Sequence, residues 1–313
     1  MGSLLNKTSK VLFLTLLIFF LLFLIKKAKF ESHIEMFTIN TLGSSQLNTI
    51  NNIPLKTNIS LEKVKKIRVG IIDSGLIHNF PGISMEIISN EIIKQPTNMH
   101  GMFVSGIIAS KKIDGLDYLG VIPGIDLIGY NLADTDINAK SLAEAITILS
   151  KRVDIINISM GTFADDPTLF ESIKTAIANG VTIICSAGNS GSNQYNYPAS
   201  FQIQGLISVG ALDEEYNILQ NSTYNDRIDI YVPGESIPTI SYTNGKYLIM
   251  NQTGTSLAAP VATALAILLK AKYPKFSPKD IESKIISSSI QISSNWKHER
   301  KKVRIINFES SLS

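Results

Sequence analysis

The sequence predicts an α/β fold: a three-layer sandwich in which a mainly parallel central sheet is covered by helices on both faces. Short runs rich in Ile, Val and Leu alternate with amphipathic stretches from residue 67 onward, as a parallel sheet with crossover helices requires. The runs are apolar throughout rather than alternating with polar residues, which suits strands buried on both faces. Capping and breaking residues separate the two kinds of segment.

Taken in order, residues 67–72, 125–130, 153–158, 181–185 and 206–209 read as the buried strands. Ser141-Leu142-Ala143-Glu144 reads as a capping box opening a helix with Leu142, Ile146 and Leu149 on one face. Asp166-Pro167 supplies the N-cap and first residue of another helix, and Gly180 its stop. Asn244-Gly245 joins residues 240–243 and 246–250 in an expected hairpin, because Asn-Gly tolerates the positive φ of a type I′ turn. A helix over residues 256–271 follows, with Pro274 beyond its end. Ser277-Pro278 then caps a last helix carrying Ile281, Ile285 and Ile286.

Composition excludes several classes. The 313 residues are 44% hydrophobic and 18% charged, enough for a sizeable core. The net charge of +3 gives no electrostatic footprint for nucleic acid. Cys185 is the single cysteine, so no intramolecular disulfide forms. Lying in Val181-Thr182-Ile183-Ile184-Cys185, it reads as a small buried hydrophobe. No zinc-type Cys/His spacing and no phosphate-cradling Gly-rich loop is present.

The N-terminus departs from this picture. Residues 11–25 are uncharged and almost wholly apolar, flanked by Lys7 and Lys10 before and Lys26, Lys27 and Lys29 after. The run is shorter than the about 20 residues of a full membrane span, yet no small-residue cleavage site follows it. Residues 1–29 are therefore expected to form an N-terminal hydrophobic helix. It acts as a membrane anchor with the folded domain outside, the alternative being a signal removed on secretion. Residues 30–62 read as a linker or short pro-segment, 63–306 as the folded domain and 307–313 as a tail.

Four motifs carry chemistry. Asp73 closes the first strand and precedes Ser74-Gly75, at the carboxyl edge where ligands bind in open α/β sheets; an Asp there also simply caps turns. His100 opens His100-Gly101-Met102-Phe103-Val104-Ser105-Gly106, whose glycines permit close packing. Asn189, in Ser186-Ala187-Gly188-Asn189, follows a strand and has an amide able to donate to an oxyanion or to form a turn. Ser256 stands in Gly254-Thr255-Ser256-Leu257-Ala258-Ala259-Pro260 at a helix start. There it is either an N-cap or a hydroxyl placed beside free helix N–H groups.

Each motif alone is weak; their order is not. Asp-Ser-Gly, His-Gly, Ala-Gly-Asn and Gly-Thr-Ser-x-Ala-x-Pro in succession resemble the subtilisin-like serine peptidases (subtilases) over residues 65–290. The resemblance implies a serine endopeptidase in which Asp73 orients His100, His100 is the base, and Ser256 is the nucleophile. It also implies that Asn189 supplies the oxyanion hole, with Thr255 assisting behind it. It makes Asn157-Ile158-Ser159-Met160-Gly161 an edge strand that pairs with the substrate backbone, with Ser159, Met160 and Gly161 one wall of the pocket for the residue before the scissile bond, and Ser186, Ala187 and Gly188 the other. Residues 132–138 become the opposite substrate-binding edge strand, where Asp134 and Asp136 either suggest basic residues upstream or are simply two solvated loop carboxylates.

The expected partner is a peptide or protein in extended conformation, bound by a monomer. No cofactor is needed for the chemistry. Family members often bind calcium through an Asp shortly after the catalytic one. Leu76-Ile77-His78-Asn79-Phe80-Pro81 offers no carboxylate, which speaks against that site, while Asp114 and Asp117 leave a structural calcium open. The role could be dedicated leader processing or general degradation. A catalytically silent peptide-binding descendant is the alternative, against which stands the presence of all four motifs. A nucleotide-binding α/β protein lacks its Gly-x-Gly-x-x-Gly or P-loop.

Overall fold

The computed structural model describes residues 59–88, 98–113, 115–116, 118–243 and 245–313. The apolar run 11–25, and most of the segment 30–62, lie outside the described residues.

The strands are β1 (Val69–Asp73), β2 (Met85–Ile88), β3 (Leu127–Asn131), β4 (Ile155–Ile158), β5 (Thr182–Ser186), β6 (Leu206–Leu212), β7 (Ile230–Pro233), β8 (Ile237–Thr243), β9 (Lys246–Gln252), β10 (Ile290–Trp296) and β11 (Glu299–Ile305). The helices are α1 (Leu61–Val64), α2 (His100–Ala109), α3 (Ala139–Leu149), α4 (Pro167–Ala178), α5 (Thr255–Lys272), α6 (Pro278–Ser288) and α7 (Phe308–Leu312). The main sheet runs β2-β3-β1-β4-β5-β6-β7-β11-β10, parallel except for the antiparallel β10–β11 pair; β8 and β9 form a separate hairpin. The five runs expected as buried strands are β1, β3, β4, β5 and β6, with ends displaced by no more than three residues.

Period-two geometry divides each strand between two cores. Val69, Ile71, Ile155, Ile184 and Ile207 face α2, α5, α6 and α7. Ile72, Ile156, Ile158, Ile183 and Cys185 face α3 and α4. Cys185 is fully buried, and burial raises its thiol pKa, as suits an inert core residue. Among the described residues α5 alone is long and apolar enough to cross a membrane, but 89% of it is buried inside the protein.

Several local expectations are corrected. The N-cap of α3 is Asn138, and Ser141 is its third residue in a reciprocal capping box, because Asn138 Oδ1 accepts from Ser141 N–H at 3.1 Å. Residues 132–138 do not form an edge strand. Asp134–Asp136 make a 3₁₀ turn, and the Asp136 carbonyl accepts from Ser141 Oγ, drawing the chain into α3. α6 has the expected Ser277 cap but is not last. The β10–β11 hairpin follows it, and residues 307–313, read as a tail, contain α7, whose Phe308 and Leu312 join the main core. The half-exposed, charged pattern of β11 conceals the hairpin from a search for apolar runs.

Candidate active site

Asp73 is the last residue of β1 and is fully buried. Its Oδ1 accepts from Ser74 N–H at 2.8 Å and lies 2.7 Å from His100 Nδ1. A carboxylate can only accept, so the imidazole proton sits on Nδ1 and leaves Nε2 bare. Asp73 Oδ2 is buried with no partner among the described residues. The Asp73 charge raises the His100 pKa above its ordinary 6.5; burial opposes this, while the hydrogen bond and the Asp134 charge reinforce it.

α2 is held to the end of β1 by a backbone bond and by the Asn98 side chain. Gly101 N–H donates to the Ser74 carbonyl at 2.7 Å. Asn98 Oδ1 accepts from His100 N–H at 2.9 Å, while Asn98 Nδ2 donates to Ser74 Oγ at 3.3 Å and to Asp134 Oδ1. Asn98 carried no motif in the sequence. The approach is so close that a Cβ on Gly101 would stand 2.6 Å from the Ser74 carbonyl oxygen and 2.5 Å from Leu76 Cδ2. Gly101→Ala is expected to lever His100 away from Asp73 and lower kcat/KM by about 10²-fold. Assay and thermal melting of the variant check this; wild-type turnover in a folded variant would show the contact to be dispensable.

Ser256 is 6% exposed, second in α5, after a cap formed by Gly254 at φ +148°. That backbone conformation strains any side chain, and a Cβ there would also stand 3.0 Å from Asn189 Nδ2. Pro260 is the sixth residue of α5, and its missing N–H leaves the Ser256 carbonyl without its helical donor. Ser159 Oγ fills that place at 3.0 Å. Asn157 Nδ2 donates to Ser159 Oγ at 2.9 Å, and Thr263 Oγ1 donates to Asn157 Oδ1 at 2.8 Å. This buried chain fixes the backbone of Ser256 to the end of β4. A buried carbonyl left unpaired costs about 1–3 kcal/mol.

Pairing register completes the convergence. Ile72 pairs with Ile158, so Asp73 and Ser159 follow side by side on adjacent strands. Asp73 holds His100, and Ser159 holds Ser256. Asn189 reaches the same helix start from beyond β5. Its Oδ1 accepts from Thr255 N–H at 2.9 Å and from Thr255 Oγ1 at 3.0 Å. Thr255 Oγ1 in turn accepts from Gly188 N–H at 3.1 Å. With Oδ1 held by these donors, the exposed Asn189 directs its N–H₂ group elsewhere.

This geometry agrees with the family comparison. A profile of the Subtilase family matches residues 64–308. The chain belongs to the subtilase family. The major intracellular serine protease of Bacillus subtilis is 31% identical over 250 residues, 73% of this chain and 76% of that protein. The thermostable alkaline protease of Halalkalibacterium halodurans is 30% identical over 234 residues, 72% of this chain but 63% of that longer protein. Among solved structures, the prenylagaramide maturation protease PagA shares the fold with a TM-score of 0.67 and 23% identity, covering 80% of this chain and 97% of that one. A cold-adapted subtilisin-like serine proteinase superposes with a TM-score of 0.67 at 17% identity, over 88% and 98% of the two chains.

The subtilase walls expected from sequence lie where the strands end. Ser159, Met160 and Gly161 follow β4, and Thr162 pairs antiparallel with Tyr197. Ser186 ends β5, and Ala187 N–H donates to Val209 at 2.9 Å. Ser159 is a correction in detail: its hydroxyl is committed inward to Ser256. Thr263 carried no motif, and Asn157, expected in the first substrate wall, turns its side chain inward to Ser159 and Thr263. Their signal was a polar residue inside the apolar runs Ile155-Ile156-Asn157-Ile158 and Val261-Ala262-Thr263-Ala264. Among the described residues no cluster of three His, Cys, Asp or Glu is arranged to hold a metal; Asp114 and Asp117 lie outside them.

Proposed function

We propose that this subtilase is a serine endopeptidase acting through Asp73, His100 and Ser256. The observation that carries the reading is the 2.7 Å contact of Asp73 with His100 Nδ1, which leaves Nε2 as a base. His100 takes the Ser256 hydroxyl proton as the oxygen attacks the peptide carbonyl, then delivers it to the leaving amine. Water repeats the sequence to release the acyl group. Asp73 stabilises the imidazolium formed between these steps. The Asn189 amide and Ser256 N–H, at a helix start with no carbonyl to serve, stabilise the oxyanion. Fluorophosphonate labelling of the full chain beside Ser256→Ala tests the assignment. Label in the wild type alone supports it, and equal labelling of both overturns it.

Asn189→Ala is expected to lower kcat by about 10²–10³, the size known for the corresponding donor of subtilisin itself, with little change in KM. Steady-state kinetics on a fluorogenic peptide decide this, since a pure KM effect would assign Asn189 to ground-state binding.

A cavity of about 320 Å³ is lined by Tyr130, Leu132, Thr135, Asp136 and Glu144 among others, with two carboxylates and no cation; in the subtilase reading it would take a residue upstream of the scissile bond. This favours a basic residue there, and a peptide panel differing only at upstream positions should show lysine or arginine cut faster than alanine. Equal rates would remove the preference.

The chain works as a monomer on an extended peptide, with no cofactor required for the chemistry. Dedicated leader processing is favoured over general degradation by the compact domain and by its fold relative PagA, a maturation protease. Residues 11–25 would hold the domain at the outer membrane surface as an uncleaved anchor.

A further inference from the structure

Residues 297–304, Lys-His-Glu-Arg-Lys-Lys-Val-Arg, carry five lysines and arginines against one glutamate. That net +4 exceeds the +3 of the whole chain, so the remainder is close to neutral. The segment forms the turn of the β10–β11 hairpin and most of β11. Side chains alternate along the strand. Val303 and Ile305 are buried and Lys301 half-buried on one face, while Arg300, Lys302 and Arg304 are exposed on the other. Their cross-strand neighbours on β10 are Asn295, Ser293 and Gln291, all exposed and none charged.

The inward cations hold the hairpin in place. Lys301 pairs with Glu299 and stands 5.3 Å from the Tyr224 ring centre. Lys297 stands 5.1 Å from the Trp296 ring centre and donates to the Gly191 carbonyl. The outward cations have no such duty. Arg300 and Lys302 make no hydrogen bond or ion pair among the described residues. Arg304 is felt by Asp229, but that carboxylate already accepts from Ser208 N–H at 2.8 Å and Ser208 Oγ at 2.9 Å. Three like charges about 7 Å apart on one face repel each other, a cost with no return inside the protein. Charge that only keeps foreign strands away belongs on the outermost strand. Here that strand is β10, which is neutral, and the cations stand one strand in.

The hairpin also borders the active site. Gly191, which accepts from Lys297, is two residues after Asn189. Tyr224, beneath Lys301, donates its N–H to the Ser192 carbonyl at 2.9 Å. Building on the endopeptidase reading, we infer that the Arg300-Lys302-Arg304 face docks an acidic stretch of the peptide substrate, outside the residues that flank the scissile bond. An extended peptide presents every second side chain at the same repeat as β11, so alternate Asp or Glu residues meet the three cations in turn. Such an interaction is equal in ground and transition states, so it lowers KM and leaves kcat unchanged. A bilayer is the poorer occupant, because the face has no apolar or aromatic side chain to insert.

The test gives the full chain peptides that share one cleavable core. A neutral linker of about eight residues, spanning about 27 Å, joins the core to a tail of repeated Glu-Ser, Gln-Ser or Lys-Ser, placed before or after it. At low ionic strength the Glu tail, on one of the two sides, should lower KM about tenfold relative to the Gln tail, with kcat unchanged. Salt at about 0.5 M should remove the gain. The double variant Arg300→Glu, Lys302→Glu should lose the gain and transfer it to the Lys tail, a reversal that a damaged fold cannot produce. If it melts early, Arg300→Gln with Lys302→Gln should lose the gain without the transfer. Equal KM for Glu and Gln tails, or a gain that the variants keep, overturns the docking surface. So does binding to phosphatidylserine vesicles with no preference among the tails. Fluorescence anisotropy of the tailed peptides on Ser256→Ala reads docking without turnover. A wild type that takes no fluorophosphonate label, beside a Ser256→Ala protein that prefers the Glu tail, overturns the catalytic reading alone.

Discussion

Ser256→Ala is expected to lower kcat by about 10⁶ and to leave the melting temperature close to that of the wild type; the size is that known for the nucleophile of subtilisin. The structure explains why the two effects separate. What Ser256 gives the fold is its backbone: its carbonyl accepts from Ser159 Oγ, and α5 begins around it. Alanine keeps that carbonyl and favours the helix. What disappears is the hydroxyl alone. A residual rate of about 10³–10⁴ over water should persist, since Asn189 and the substrate walls remain. Turnover within tenfold of wild type, in a preparation free of contaminating protease, would remove Ser256 as nucleophile.

Asp73→Asn is expected to cost about 10⁴ in kcat near neutral pH and to move the acid limb of the pH profile downward. An asparagine amide can donate to Nδ1, which places the imidazole proton on Nε2, where a base is needed. The sign of the pH effect follows from the charge. In the wild type the Asp73 carboxylate raises the His100 pKa, so activity falls as pH drops through a value above 6.5. Without that charge, burial remains and favours the neutral ring, so the limb moves to lower pH even as the maximum falls. Stability runs the other way. A raised histidine pKa contributes stability that is complete below the ordinary value and lost as pH rises through the raised one. The variant should therefore lose more stability, relative to wild type, in acid than in alkali. A limb that stays in place would show that Asp73 does not set the His100 charge.

Asp73, His100, Asn189 and Ser256 were legible in the sequence because each sits in a motif whose glycines have a local reason. Gly101 admits the close contact with Ser74, and Gly254 adopts a backbone that other residues avoid. Pro260 is visible in the sequence only as part of the Ser256 motif. Its effect depends on the donor it removes, and the replacement comes from Ser159, 97 residues before Ser256. The expected strand over residues 132–138 failed for a related reason. Asn138 and Ser141 satisfy each other locally, and that capping outcompetes extension.

The sequence by itself determined the α/β class, the strand runs and the four motifs, because hydrophobic period and turn chemistry act within a few residues. Only the tertiary structure decided which polar groups meet. It set Asp73 beside Ser159 through the β1–β4 register and tied Asn157 to Thr263. These partners lie far apart along the chain, and a buried polar group announces its need for a partner without naming it.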